Sequence, residues 1–195
     1  LLARGLNHPL AMLLTNTFGP PVPVASGGTG ADTAQGATQN LGTWYVLAAS
    51  GAQVSHTGTT AETTLATITV PANSLGANGA WRLYLLWSNN SSGNNKTLRV
   101  RWSGTAGTIF RARVQTTNIL TPEGIIVQNR NATNSQVGAD NNQGVGGWQT
   151  SGAGTVVTSS IDTTASTDIV IRGQLADAAD TIRLEQYFLE VMKRT

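Results

Sequence analysis

Four arginines form the most distinctive group of charged side chains in the sequence. Arg99 and Arg101 alternate with apolar residues on one predicted strand, and Arg111 and Arg113 do so on the next, after a five-residue turn. If the strands pair, all four side chains point outward in one cationic patch, which repels itself unless anions or acidic partners compensate. Guanidinium groups match carboxylate and phosphate, so the patch predicts binding of an acidic glycan or of lipopolysaccharide phosphate. The alternatives are that the patch faces a neighbouring subunit or stacks on the chain's own aromatic rings.

A second group of candidate binding residues lies in a long polar stretch, residues 131–147, and just beyond it. Trp148 follows two glycines and is close in sequence to Asn141, Asn142 and Gln143. An exposed indole ring beside amide groups has the components of a sugar site, with a stacking face and hydrogen-bonding partners. The alternative is a tryptophan that anchors the loop or contacts another subunit.

Residues for catalysis or metal binding are poorly represented. The two histidines, His8 and His56, lie in separate regions, no G-x-S-x-G nucleophile motif occurs, and cysteine is absent. We expect His56 to be an exposed turn residue. Asp162 and Asp168 are close enough in sequence to approach across a hairpin, yet acids in a Thr-rich turn usually serve solubility. The sequence therefore predicts no catalytic residue, no metal site and no cofactor.

The composition indicates a β-protein. Thr, Gly and Asn supply 65 of the 195 residues, whereas charged residues make up 11 %. Helical bundles need more Glu, Lys and Arg, while Thr suits exposed strand faces and Gly and Asn suit turns. A formal charge of +2 is too small for a nonspecific nucleic-acid binder. No apolar run approaches the roughly 20 residues that span a bilayer, so we expect no nucleic-acid partner and no membrane insertion.

From Trp44 onward, apolar and polar residues alternate with the period of half-buried strands. Eight to ten short strands are expected, packed as an antiparallel β-sandwich or jelly roll. Trp81, Trp87 and Trp102 fall on inward positions and should be core residues. The last segment changes parity, which predicts a β-bulge near Glu185, with a helix as the alternative. The predicted strand segments are 66–70, 81–87, 97–102, 110–115, 124–130, 155–161, 168–174 and 181–193.

Residues 1–43 differ from the rest and are predicted to form a stalk and linker, with the head domain at 44–195. Leucines recur at spacings of three and four near the N-terminus, as in a short helix or an irregular strut. A Pro-rich segment follows, and then the glycines of a hinge. Asp32 is predicted to cap a two-turn helix that ends before Gly42. So short a helix must pack against the head or against copies of itself.

The linker carries a resemblance to a known family. Residues 22–31 (VPVASGGTGA) and Asn40-Leu41-Gly42 are similar to the P-V-x-x-G-G-T-G-A … N-L-G linker of tail fibres and related appendage proteins of tailed bacteriophages. There the linker joins a virion-proximal shaft to a distal β-domain. We assign linker and trimerisation roles to Pro23, Gly27, Gly28, Gly30, Asp32 and Leu41.

The resemblance implies a noncatalytic homotrimer, located on the virion, whose β-sandwich head contacts host surface glycans or proteins. Other virion proteins would attach through the N-terminal side, and a chain that begins Leu-Leu is expected to be the C-terminal part of a longer protein. The alternative is a purely structural virion component, such as a head fibre, capsid decoration or tail adaptor. A depolymerase is disfavoured because paired acids and internal repeats are not visible.

Overall fold

The computed structural model describes residues 28–117, 119–141 and 154–195. In that part of the chain the protein is an all-β antiparallel sandwich with one short helix, which confirms the predicted fold class. Within the described residues, no helix has the length and apolar character needed to cross a bilayer. The elements are α1 (Ala34–Asn40), β1 (Tyr45–Ser50), β2 (Val54–Thr57), β3 (Thr63–Val70), β4 (Ala80–Asn89), β5 (Lys96–Trp102), β6 (Thr108–Gln115), β7 (Leu120–Asn129), β8 (Gln136–Asn141), β9 (Gly154–Ser159), β10 (Thr167–Leu175) and β11 (Thr181–Met192).

The described strands form two sheets. The larger sheet has the order β1-β11-β4-β7-β8-β9, with β2 pairing on β11 beyond the end of β1. The smaller sheet has the order β3-β10-β5-β6. Every strand pair is antiparallel, and the inner faces enclose one hydrophobic core. The outer faces of the two sheets are therefore separate surfaces on opposite sides of the head.

Aromatic rings fill the centre of the core. Trp81, Trp87 and Trp102 are almost completely buried, as predicted from their positions. Trp81 meets Trp102 edge to face, with ring centroids 5.5 Å apart and planes at 85°. Phe110 lies 6.1 Å from Trp81. Because rings in this arrangement interact favourably beyond the area they bury, the cluster fixes how the two sheets pack.

The predicted β-bulge in the last strand is present. Leu184 pairs with Trp87 and Gln186 pairs with Leu86, which leaves Glu185 as the extra residue. The bulge explains why the apolar parity of β11 changes between its two halves. The helical alternative for this segment is wrong, since β11 runs unbroken as a strand from Thr181 to Met192.

The linker helix forms, but one residue later than expected at its start. Thr33, not Asp32, is the N-cap, and its hydroxyl accepts a hydrogen bond from Gly36 N. The prediction of Asp32 as the N-cap is therefore wrong. The helix starts at Ala34, so the N-cap position falls on Thr33, whose backbone has the extended conformation typical of N-caps. Leu41 is 62 % exposed at the other end.

Two of the linker glycines have positive φ angles, +67° at Gly30 and +65° at Gly42. Glycine adopts such angles without steric cost, and the Gly42 angle is the one expected after the last residue of a helix. Gly28 also lies in the described part, and the backbone bends there. Pro23 and Gly27 lie outside the described residues, as does the predicted Leu-rich stalk.

The head has two distinguishable ends. At the proximal end α1 joins β1, and Gly42 lies against the penultimate residue Arg194, whose backbone N donates to Leu75 O at 2.8 Å. β8 runs away from this end and finishes at Asn141, which pairs with Gly154 at the start of β9. The β8–β9 hairpin therefore opens toward the opposite, distal end of the head.

His56 does not occupy an exposed turn. It lies within β2, pairs with Ile182 and is 3 % exposed, so the sequence-based expectation is wrong. The misjudged feature is β2 itself, a four-residue strand whose sequence shows no apolar alternation. Burial lowers the pKa of His56, and a hydrogen bond with the backbone of Ala61 only partly opposes this. The imidazole is therefore neutral in the folded protein at neutral pH.

We expect acidification to destabilise the head through His56. Its folded-state pKa is lowered, so below about pH 6.5 the unfolded chain binds a proton that the folded chain does not. Stability is full above that pH and falls as pH drops, by at most about 1.4 kcal/mol per pH unit. Urea unfolding of wild type and His56→Gln between pH 7.5 and 5.5 tests this. The variant should show the flatter profile, and equal slopes would contradict the prediction.

Candidate functional site

The predicted patch of four arginines is wrong for two of its members. Val100 pairs with Arg111, whereas Arg101 pairs with Ile109, so Phe110 is an extra residue in a β-bulge. The bulge turns Arg111 and Arg113 to the inner face of the smaller sheet. The predicted inward set on β6, Phe110, Ala112 and Val114, is correct only at Phe110, and Val114 is 46 % exposed.

Arg111 and Arg113 instead form an ion cluster between the sheets. Arg111 is 1 % exposed, and its Nη2 donates to Gly124 O of β7 at 3.2 Å. Arg113 Nη1 donates to Glu123 Oε1 at 2.7 Å, and Glu123 is 3 % exposed. Since both arginines reach from the smaller sheet to a strand of the larger one, their contacts join the two sheets. Burial of this kind removes Arg111 from the outer surface.

Arg99 and Arg101 do point outward, and they meet two residues that the sequence did not suggest. Three guanidinium groups surround the Glu62 carboxylate: Arg99 Nη1 lies 3.2 Å from Oε2, while Arg101 Nε and Arg172 Nη1 each lie 3.2 Å from Oε1. We call Arg99, Arg101, Arg172 and Glu62 the arginine cluster. It lies on the outer face of the smaller sheet.

The strand register produces this arrangement. Arg172 of β10 lies directly opposite Arg99 of β5, and opposed residues share a face. Glu62 comes just before β3, the other neighbour of β10, so its side chain reaches across. The alternation of residues in β10 is consistent with an outward Arg172, but the sequence around Arg172 does not indicate that β10 lies beside β5. That pairing brings together Arg99 and Arg172, which are 73 positions apart in the sequence.

The cluster carries an excess of positive charge. Three arginines and one glutamate leave two formal positive charges that the cluster itself does not balance. Burial would raise the pKa of Glu62, but the hydrogen bond and charge of Arg101, with the charges of Arg99 and Arg172, lower it overall. The carboxylate therefore stays ionised at neutral pH. Side-chain exposures of 17 to 21 % leave part of each arginine side chain accessible to solvent.

Further hydrogen bonds hold the cluster in place. Arg172 Nη2 donates to the backbone O of Glu62 at 2.8 Å, and Arg99 Nη1 donates to Gln174 Oε1 at 2.8 Å. Arg101 Nη1 donates to Gly107 O at 3.3 Å. Groups fixed in this way bind an anion with less loss of side-chain entropy than mobile surface arginines do. The arrangement can bind and orient a carboxylate or phosphate group.

The other predicted site residues have different outcomes. Asn141 is the last residue of β8, whereas Asn142, Gln143 and Trp148 lie outside the described residues. Asp162 and Asp168 have separate partners: Asp162 Oδ1 accepts from Thr164, and Asp168 Oδ1 accepts from Thr69 Oγ1 at 2.7 Å. Within the three described stretches, no group of three or more His, Asp or Glu side chains could hold a metal ion.

The outer face of the larger sheet has the opposite character. Tyr84 and Phe188 stack across neighbouring strands, with centroids 4.7 Å apart. Arg82 forms an ion pair with Glu190 on the same face and lies 4.4 Å above the Trp44 ring. We call the exposed large apolar residues of this surface the apolar face. They are Val46, Tyr84, Leu120, Val156 and Phe188, each 38 to 72 % exposed.

No family model matches the chain, and no curated protein matches it. Solved structures similar to part of it include the CBM2 module of the evolved Dit of Lactobacillus casei BL23 phage J-1, at 8 % identity, TM-score 0.31, and coverage of 64 % of this chain and 67 % of that one. Lectin I from Ulex europaeus, in complex with the methyl glycoside of α-L-fucose, has 8 % identity, TM-score 0.37, and coverage of 77 % and 91 %. The infectious bursal disease virus VP2 subviral particle has 12 % identity, TM-score 0.29, and coverage of 78 % and 42 %. Values this low transfer no ligand or role to the chain.

Proposed function

We propose that the chain is the distal part of a tail fibre or related appendage of a tailed phage. Its β-sandwich head attaches the virion to a glycan on the host surface and performs no catalysis. The single observation that carries this proposal is the polarity of the head. The linker helix enters at the proximal end, beside the C-terminal residues, and the β8–β9 hairpin opens in the opposite direction, toward the distal end.

This polarity suits an appendage tip. A shaft that continues from the linker would leave the distal end farthest from the particle, where a receptor is met first. β8 runs toward that end and finishes at Asn141, and the predicted Trp148 site follows it in the sequence. The sequence resemblance of the linker independently supports the same direction, with the virion on the N-terminal side.

The proposal includes a homotrimer. α1 has seven residues, too few for a stable isolated helix. Its Leu41 is 62 % exposed, and the apolar face adds a larger surface that water solvates poorly. Packing of three copies would cover such surfaces. Light scattering at micromolar concentration should give three times the chain mass, and a monomer would contradict this part of the proposal.

Cell binding tests the attachment role. We expect labelled protein to bind some strains in a panel of bacteria, and to bind surface polysaccharide isolated from those strains. Release of reducing sugar from that polysaccharide would contradict a noncatalytic head. Absence of binding to every strain and polysaccharide, together with tight binding to virion proteins, would contradict attachment.

Trp148→Ala should weaken binding to those cells by about tenfold, because it removes a stacking face for a sugar ring. Trp148→Phe keeps an aromatic face and should retain most of the affinity. Titration of labelled protein on cells measures both variants, with thermal unfolding as the control for folding. Equal affinity of Trp148→Ala and wild type would exclude Trp148 from the site.

A structural virion component is the second candidate, and the apolar face favours it. Charged residues are depleted at the centres of protein–protein interfaces and aromatic residues are enriched there. Tyr84, Leu120 and Phe188 fit that description. If Tyr84→Ser abolished binding to purified virions and left cell binding unchanged, the apolar face would serve assembly and not attachment.

A further inference from the structure

We propose that the arginine cluster binds the acidic groups of an anionic polysaccharide. The inference rests on the proposed attachment function and names the class of ligand. Three guanidinium groups lie on one solvent-accessible sheet face, with one carboxylate between them. Charge-assisted hydrogen bonds from Arg to carboxylate or phosphate are among the strongest in proteins. A ligand oxyanion would therefore balance positive charge that Glu62 alone leaves uncompensated.

The donors of the cluster outnumber its acceptors. Each guanidinium carries five N–H donors, yet Arg99 donates only through Nη1 among its contacts with the described residues. Arg172 Nε is buried without a hydrogen-bond partner in the same part of the chain. One carboxylate, one amide oxygen and a few backbone carbonyls therefore do not saturate the three arginines. An added anion would find unused N–H groups on Arg99 and two formal positive charges that the cluster does not balance.

The surroundings favour a polysaccharide over a protein. Thr64, Thr67 and Thr97 share the outer face of the smaller sheet with the cluster and present hydroxyl groups beside it. Large apolar anchors, which protein partners need at the centre of an interface, are concentrated on the opposite side of the head. On this face the exposed large apolar residue is Val114, at the edge strand β6. A flat, hydroxyl-lined and cationic face fits an extended acidic glycan.

Glu62 has a specific role in this inference. Its carboxylate occupies the position that a ligand carboxylate would approach, so it both orients the arginines and competes with the ligand. Replacing it with glutamine removes the competing charge and keeps a hydrogen-bond acceptor of similar shape. The structure therefore predicts opposite effects for Glu62 and for the arginines. A cluster with only a structural role would respond in the same direction to both kinds of change.

Titration calorimetry on the full chain tests the proposal with polygalacturonate as the carboxylate-bearing polymer, teichoic acid as the phosphate-bearing polymer and dextran as the neutral one. We expect binding to at least one acidic polymer, none to dextran, and weaker binding as salt is added. Arg99→Gln and Arg172→Gln should each weaken binding by about ten- to hundredfold. Glu62→Gln should tighten it by about threefold to tenfold. Arg130→Gln, an exposed arginine outside the cluster, should change nothing.

Several results would overturn the proposal. These are unchanged binding by Arg99→Gln and Arg172→Gln, weaker binding by Glu62→Gln, or polyglutamate binding more tightly than either acidic polysaccharide. If Glu62→Gln fails to fold, Arg101→Lys keeps the charge but loses the planar fork, and should bind more weakly than wild type. If variants that lack the cluster arginines still bind cells, the attachment function is supported and this binding site is contradicted. Polysaccharide binding without any cell binding supports the site and contradicts the function.

Discussion

Replacing Lys96 by methionine is expected to lower the free energy of unfolding of the head by about 3 kcal/mol. Lys96 begins β5 at the distal end and is completely buried. Its ammonium group donates to Ser92 Oγ at 2.6 Å, to Asn94 O at 3.0 Å and to Thr116 O at 3.1 Å. Methionine fills similar space but donates no hydrogen bond, so all three acceptors would lose this partner.

The charge of Lys96 is also matched. Asp180 Oδ2 lies 3.6 Å from Nζ, and Asp180 Oδ1 accepts from Asn90 Nδ2 at 2.8 Å. Hydrogen bonds from Asn90 and Ser92 hold the pKa of Asp180 below its ordinary value, so this carboxylate is ionised and opposes the lysine charge. One side chain thus ties together three connections of the distal end, those before β5, after β6 and before β11.

Urea unfolding followed by tryptophan fluorescence, at one protein concentration, measures the effect. Lys193→Met is the matched control, because Lys193 is the only other lysine in the sequence and lies half-exposed after β11. It should change stability by less than about 0.5 kcal/mol. A Lys96→Met variant as stable as this control would show that the distal connections do not depend on the ammonium group.

The strands with strong alternation were predictable from the sequence. Trp81, Trp87 and Trp102 occupy inward positions because an indole ring is the largest apolar group that each strand offers the core. The bulge at Glu185 was predictable for the same reason: apolar parity changes there, and one extra residue restores it. The alternation of apolar residues therefore predicts those features of the fold that are determined by burial of apolar side chains.

The β6 bulge was not predictable on that basis. Its inward residues after the bulge are Arg111 and Arg113, which burial in an apolar core would exclude. Glu123 on β7 compensates them, and that contact depends on how the two sheets are packed. A polar pair formed across the sandwich leaves no trace in the local period of either strand. The local period therefore predicts an outward Arg111, and the prediction is wrong because the compensating charge lies on the other sheet.

The candidate site was only half predictable for a related reason. Arg99 and Arg101 were identified because they alternate within one strand, but Arg172 and Glu62 join them through the sheet order β3-β10-β5. That order follows from long-range pairing, which strand spacing does not encode. The resulting difference between the two outer faces, one cationic and one apolar, gives the head two surfaces for partners of different chemistry.

Gln136→Leu should lower the free energy of unfolding by about 4 kcal/mol, more than Lys96→Met does. Gln136 begins β8 at the proximal end and is completely buried. Its Nε2 donates to Asn129 Oδ1 at 3.0 Å and to Ile161 O at 2.9 Å. Its Oε1 accepts from Ile161 N and Ser159 Oγ, each at 2.8 Å. Leucine would remove this partner from all four groups, three of which belong to the buried residues Asn129 and Ile161.

The network of Gln136 extends toward the linker, which gives the same substitution a functional consequence. Asn129 Nδ2 also donates to Gly76 O, at 2.6 Å, and Gly76 lies against the backbone of Arg194 beside the end of α1. Gln128→Leu is the matched control, an exposed glutamine on the neighbouring strand that should cost less than about 0.5 kcal/mol. Urea unfolding compares the free energies of unfolding of the two variants. Proteolysis under native conditions should cut Gln136→Leu faster near the linker, because the hydrogen-bonded residues beside the end of α1 are less well held. Equal stability of the two variants would mean that the proximal end does not depend on this buried network.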